Sequence, residues 1–433
     1  LYCLFPKPLS HKNQAMKRNI TLTALLAVAF LTSHCKKEDE VTPAQPLVLT
    51  NTGTLIAGDT LVLTGTGFST SQNTVTIGST DATVIAATAT ELKAVAPAGA
   101  KGNITLISGG TTYRTADEVA IQSVYIAGYS VNDAGRGVAL YWKNGTAINL
   151  TDGTRPAAAT AITVVGNDVY VTGYERDATG KNMAKYWKNG TAVSLASGSN
   201  SCYAFDIQVV GNDVYVTGQD VNETGFASAL YWKNGQVVSL TAPTNMGHPT
   251  VKSIRVSGSD VYVVGYEPGA NGNHVAKYWK NGQAVSLTNG ASSARATSLY
   301  LFGSDVYVSG TEQNSQYANV AKYWKNGQAV VLATNLTMSS QANAVVVSGN
   351  DVYVAGNESA ANGYFIAKYW KNGQSVNLTN GSTSAYAYAI AVLGNDVFVV
   401  GREYNASYQE VAKYWRNSKV FTLPGTKASA VGL

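Results

Sequence analysis

The sequence predicts an all-β chain in which a small β-sandwich precedes a seven-bladed β-propeller closed by the C-terminal strand. Two observations carry this prediction. From residue 124 onward a unit of four short strands recurs seven times, and Lys427 to Leu433 repeats an opening strand that the first unit lacks. Composition agrees: 42 Gly and 26 Tyr with only 13% charged residues suit turn-rich β-structure and argue against long surface helices. At 433 residues and 45% hydrophobic, the chain can bury a sizeable core.

The front end reads as a targeting segment. Met16 is followed by Lys17 and Arg18, then by an apolar run from Ile20 to Leu31, too short to span a bilayer and suited to a secretory h-region. Residues 1–15 read as upstream sequence. Thr32-Ser33-His34-Cys35 and the tract Lys36-Lys37-Glu38-Asp39-Glu40 resemble the lipobox and following tract of surface-exported lipoproteins of the Bacteroidetes type. His34 stands where a small residue is usual, and a plain secretory peptide is the alternative. The resemblance implies residues 1–34 as upstream residues and signal peptide, residues 35–45 as the lipidated Cys35 and a charged linker, and an address at the outer membrane or cell surface, with the membrane as partner through the lipid.

Charge and cysteine narrow the function classes. Lys7, Lys12, Lys17 and Arg18 stand without an acid in the first 34 residues, so of the total +5 only +1 remains for the rest. A near-neutral body has no electrostatic footprint for nucleic acid. Cys202 is the one cysteine beyond the leader region, so no intramolecular disulfide is expected. With no neighbouring base it reads as a half-buried thiol, not a nucleophile.

Residues 46–122 carry Gly53 to Asp59, Leu61 to Gly67 with Phe68, Val75 to Gly78, Leu92 to Pro97 and Gly102 to Leu106. These runs resemble the IPT/TIG domain, which implies an immunoglobulin-like sandwich acting as a spacer between membrane and propeller.

Residues 123–433 hold the repeat. VYxxG begins at Val124, Val169, Val214, Val261, Val306 and Val352, with VFVVG at Val397; Tyr-Trp pairs begin at Tyr141, Tyr186, Tyr231, Tyr278, Tyr323, Tyr369 and Tyr414. All 7 Trp of the chain sit in these pairs. In the second unit, Ala159 to Val165 alternates, Gly166-Asn167-Asp168 turns, and Val169 to Tyr174 is a second strand. Ala184 to Trp187 is a third, and Asn189-Gly190 turns into a fourth because both positions favour positive φ. Adjacent Tyr and Trp must point to opposite faces, so both faces need a buried partner, which blades packed around an axis provide. Ala428-Ser429-Ala430-Val431 matches Ala159-Thr160-Ala161-Ile162 and removes the open edge. The unit resembles the kelch repeat, departing from it in that the strand-two glycine is followed by Tyr174 or its equivalents and not by a second glycine.

Little chemistry stands out. His248 and His274 read as solvated loop residues, and the motif inventory lacks HExxH, GxSxG, a phosphate-binding glycine loop and CxxC. No cofactor or metal is expected. Five acids match five lysines ten residues later: Glu175 with Lys185, Glu267 with Lys277, Glu312 with Lys322, Glu358 with Lys368 and Glu403 with Lys413. In the other two units Ser130 and Asp220 meet Leu140 and Leu230. Lysine disappears wherever glutamate does, as cross-strand ion pairs require. Asp168, Asp213, Asp260, Asp305, Asp351 and Asp396 read as turn caps.

The variable connections all fall on one face. Between blades they offer Arg155, Tyr203, His248, Arg295, Tyr386 and Tyr388; within blades, Tyr317, Tyr364, Phe365, Tyr404 and Tyr408. Aromatic residues at the rim of a rigid scaffold suit sugar rings or peptides, so the candidate ligand site comprises Tyr317, Tyr364, Phe365, Tyr386, Tyr388, Tyr404 and Tyr408. The expected function is non-catalytic binding of a glycan or protein by a monomer. The alternative is a polysaccharide-active hydrolase or lyase on the same scaffold.

Overall fold

The computed structural model describes residues 45–51, 53–195, 200–242, 248–333 and 335–433. The apolar run, Cys35 and the charged tract lie outside the described residues.

The sandwich begins one residue earlier than its sequence boundary, because Gln45–Pro46 pairs in parallel with Tyr113 and Arg114. Its strands alternate in burial: Leu61 and Leu63, Val75 and Ile77, Leu92 and Ala94, Ile104 and Leu106 are all buried, with the more exposed Val62, Thr76, Lys93 and Thr105 between them. Strand Thr80–Ala87 joins the layers, pairing first with Asn73–Ile77 and then with Glu91–Val95, where a bulge at Ile85 shifts its register.

Seven four-stranded antiparallel blades follow, with strands A to D running from axis to rim. In blade 2 they are Ala157–Val165, Asp168–Arg176, Asn182–Lys188 and Thr191–Ser194. Strands A of blades 3 to 7 are Ser201–Val210, Thr250–Ser257, Ala294–Phe302, Ser340–Ser348 and Ala385–Leu393. Blade 1 takes strand A from Lys427–Gly432, which pairs with Tyr125–Val131. The C-terminal strand closes the ring as the sequence predicts.

The Tyr-Trp pair sets the packing between blades. Tyr141 shares a core with Trp187, Tyr186 with Trp232, Tyr231 with Trp279, Tyr278 with Trp324, Tyr323 with Trp370 and Tyr369 with Trp415. Tyr414 completes the circle against Trp142 of blade 1. Each Trp lies on its own blade's side of the seam and each Tyr reaches the next, so every interface holds one of each.

Every strand A carries one extra, unpaired residue where its register shifts: Thr160, Phe205, Lys252, Thr297, Asn343, Tyr388 and Ser429. The bulge presses strand A onto the strand-B glycine. A Cβ on Gly218 would stand 2.2 Å from both the Tyr203 carbonyl oxygen and the Trp232 ring, so only glycine fits.

Candidate functional site

Two faces result from the antiparallel blades. The turn face holds the tight A–B and C–D turns; the loop face holds the B–C loops and the links between blades. Each B–C loop is a five-residue turn, organised in blades 1, 2, 3, 5 and 7 by its first side chain, Asn132, Asp177, Asn222, Asn314 or Asn405, while blades 4 and 6 begin it with Gly269 and Ala360. In blade 7, Asn405 Oδ1 accepts the backbone N–H groups of Ser407 and Gln409, both at 2.9 Å. The fourth residue is then left-handed. Five blades place glycine there, Gly135, Gly180, Gly225, Gly272 and Gly363, but blades 5 and 7 place Tyr317 and Tyr408 at φ 59° and 56°. A bulky residue in that region is strained by roughly 1–2 kcal/mol. Packing does not compensate the strain, for Tyr317 is 83% and Tyr408 74% exposed.

Tyr408 forms one wall of a cleft of about 400 Å³ between blades 6 and 7. Tyr364, Tyr386 and Tyr404 form the others, with Ser382, Thr383, Ser384 and Asn405 supplying polar atoms. The Tyr408 hydroxyl beside that of Tyr364 raises the Tyr364 pKa. Behind the cleft, Phe365 packs on Tyr386 at 5.3 Å between centroids, and Tyr386 lies parallel to Tyr388 at 6.3 Å. The Arg402 guanidinium sits against three rings, at 5.0 Å from Tyr386, 5.9 Å from Tyr388 and 5.5 Å from Tyr404. Glu410 accepts from Arg402 and, at 2.9 Å, from the Tyr404 hydroxyl. That bond raises the Tyr404 pKa, and burial raises that of Tyr388.

Of the seven candidate aromatics, the structure brings four together as cleft walls. Phe365 and Tyr388 stand behind them, and Tyr317 lies on blade 5 outside the cleft. Tyr386 and Tyr388, with Tyr203 and Arg295, belong to strands A and not to the links between blades. The bulge is the reason: its extra residue breaks the two-residue period, so the strand starts earlier than its alternation indicates. Arg402 and Glu410 escaped sequence reading. Their signal was the column: residues after the strand-B glycine are otherwise Tyr, Gln, Thr or Asn, and blade 7 alone has a cation there and an acid at the first position of strand C.

The axial channel is a second concavity, of about 350 Å³, lined by all seven bulge residues. Thr160, Thr297 and Asn343 donate to the carbonyls of Ala204, Ala342 and Ala387 in the following blade, at 2.9, 2.7 and 2.7 Å. Phe205, Lys252 and Tyr388 are larger and make no such bond. Lower in the channel Asp206 is saturated by Arg255, Ser253 and backbone N–H groups.

The matched charges meet as diagonal pairs. Each Lys stands opposite the strand-B glycine and reaches the Glu two residues on. Lys185 lies 2.5 Å from Glu175, Lys322 2.6 Å from Glu312 and Lys413 3.7 Å from Glu403, while Lys277–Glu267 and Lys368–Glu358 are closer still. Asp220, which has no lysine, instead accepts from Asn200 and from Cys202, whose thiol pKa burial pushes up to about 12. The turn aspartates do not cap their own turns. Asp168 takes Asn189 at 2.7 Å and Lys188 at 2.8 Å, tying the A–B turn to the C–D turn, and the same bonds recur in blades 3 to 6. His248 is exposed, but His274 opens strand C of blade 4, half-buried against Tyr266 at 4.8 Å and Arg295. Among the described residues no set of three or more His, Cys, Asp or Glu converges as metal ligands.

Residues 43–120 match the family model of the IPT/TIG domain. That segment is an IPT/TIG domain. No curated protein matches the chain. Among solved structures, a Bacteroides thetaiotaomicron protein of unknown function is 14% identical over 87% of this chain and 99% of its own, with a TM-score of 0.36. The β-propeller domain of the Trilobed protease from Pyrococcus furiosus is 10% identical over 70% and 95%, TM-score 0.45. An auxiliary nutrient binding protein from Bacteroides thetaiotaomicron is 11% identical over 72% and 95%, TM-score 0.27. At these scores none bears on what this chain binds.

The TIG domain meets the turn face at blade 7. Arg416, where six blades have lysine, donates to both carboxylate oxygens of Asp59 at 2.7 and 2.8 Å, to the Thr54 carbonyl and to Asp396. Thr54 donates in turn to the Leu393 carbonyl, and Ile56 packs with Val124 and Phe398. The TIG domain therefore covers turns, and the loop face with its cleft stays open.

Proposed function

We propose that this chain is a non-catalytic binding scaffold whose loop face takes a glycan in the cleft of Tyr364, Tyr386, Tyr404 and Tyr408, displayed at the cell surface through a lipid on Cys35. The observation that carries the reading is Tyr408. It holds a strained left-handed backbone where five blades relax with glycine, and it spends that strain on exposure and not on packing. Flat rings with nearby hydroxyl and amide groups match the apolar faces and equatorial hydroxyls of sugars. Binding is favoured over hydrolysis because no carboxylate or imidazole lines the cleft, and Glu410 behind it is held by Arg402 and Tyr404.

A glycan array on the purified chain tests this, with labelled palmitate and Cys35→Ser testing the anchor. Tyr408→Gly restores the residue of the sibling loops, so the fold is expected to be kept while affinity for array hits falls at least tenfold. Tyr364→Ala is expected to do the same. Hits bound equally by both variants would place binding elsewhere.

A further inference from the structure

Three cations gather where strands A enter the channel from the loop face, and none has a carboxylate partner among the described residues. Lys252 is the bulge residue of blade 4. Its ammonium lies over the Phe205 ring at 4.7 Å. Lys427, the first residue of the closing strand, lies over the Tyr388 ring at 4.3 Å. Arg295, on strand A of blade 5, stacks over Tyr266 at 5.5 Å and donates to His274. Aromatic faces position such charges without neutralising them. The acids nearby are already engaged, Asp206 by Arg255 and Glu410 by Arg402.

We propose that this mouth of the channel is an anion site, in which Lys252, Lys427 and Arg295 receive a carboxylate, sulfate or phosphate group. Of the three, Lys252 lines the cavity of about 350 Å³, which admits such a group on a small molecule or on a glycan branch, and Lys427 and Arg295 stand near enough to repel its charge. The Lys252 ammonium is held down to about 8 by burial and by repulsion from Lys427 and Arg295. Lys427 is shifted downward too, by burial first and by Arg402 second, against a smaller upward pull from Glu410. A bound anion offsets the repulsion and supplies these buried charges with a counter-charge, so the site gains most from a ligand of opposite charge. The proposal stands apart from the glycan cleft, since no cleft residue is among the three.

The experiment is calorimetric titration of the full chain with inorganic sulfate, with glucuronate and with glucose as neutral control, in low-salt buffer at pH 7. Sulfate is expected to bind saturably, and any glucose binding to be lost with Tyr408→Gly but not with Lys252→Met; glucuronate binding more tightly than sulfate in the Tyr408→Gly chain would mark a sugar-borne carboxylate as the source. Lys252→Met and Lys427→Met are each expected to weaken sulfate tenfold or more, whereas Lys371→Met on the turn face and Tyr408→Gly change nothing. In the native chain binding is expected to fall as pH rises from 7 to 9.5, as Lys252 loses its proton. No saturable binding, equal weakening by Lys371→Met, or a flat pH profile would overturn the site; loss through Tyr408→Gly would merge it with the cleft and overturn its independence.

Discussion

Tyr408 and Lys252 are placed at the expense of local stability, one by backbone strain and one by desolvation. For Lys252 the sign can be worked out. Its folded pKa of about 8 lies below the ordinary lysine value of 10.5, so the folded chain sheds this proton first. Stability is therefore lowest below pH 8 and rises between about pH 8 and 10.5, where only the unfolded chain still holds the proton. Lys252→Met is expected to stabilise the protein at pH 7, on the order of 1–3 kcal/mol, with the gain vanishing near pH 10.5. Thermal melts of both proteins across that range check it; a variant that melts lower at pH 7 would mean the ammonium has a compensating partner. The aromatic rim was legible in the sequence because loop side chains that vary between repeats stand out against an invariant frame. The cation cluster was not, since its members come from blades 1, 4 and 5 and meet only when the ring closes.

Strands B and C share a design that the matched Glu and Lys made visible. What spacing alone did not reveal is that the partners are diagonal, the lysine standing opposite the strand-B glycine and not opposite the glutamate. The pair Glu358–Lys368 is the most enclosed, both side chains being 6% exposed. Removing one partner leaves a charge alone at such a site, whereas removing both copies what blade 1 does with Ser130 and Leu140. Glu312→Gln is expected to destabilise by about 1–3 kcal/mol, and Glu312→Gln with Lys322→Leu by less than that single change. Urea unfolding of the two singles and the double forms the cycle; simple additivity would show the residues to be uncoupled. Strands A were the harder element to read, because a bulge in each moves Tyr386 and Tyr388 from expected links into the sheet.

At the scale of the molecule, the propeller and its closure were readable because seven copies of one unit leave little choice, and the missing strand of the first copy has one candidate. The docking of the TIG domain was not readable. Lysine to arginine at position 416 looks neutral until Asp59, 357 residues away, is seen opposite. Lysine presents a point charge where arginine presents a fork. Arg416→Lys is thus expected to preserve blade 7 through Asp396, as in its siblings, but to free the TIG domain. Limited proteolysis between residues 120 and 125 should then accelerate severalfold with little change in the melting of the propeller; unchanged cleavage would assign the docking to Ile56 instead. The closing strand has a kinetic consequence as well. Val131 donates to Thr426 across 295 residues, and joining ends so far apart costs roughly 5 kcal/mol of loop entropy before any closing contact forms. Blades 2 to 7 can each zip from neighbouring hairpins, yet Tyr414 finds Trp142 only at the end. Ring closure is thus the slow, late event in folding, and until it occurs two raw blade edges are exposed to other chains.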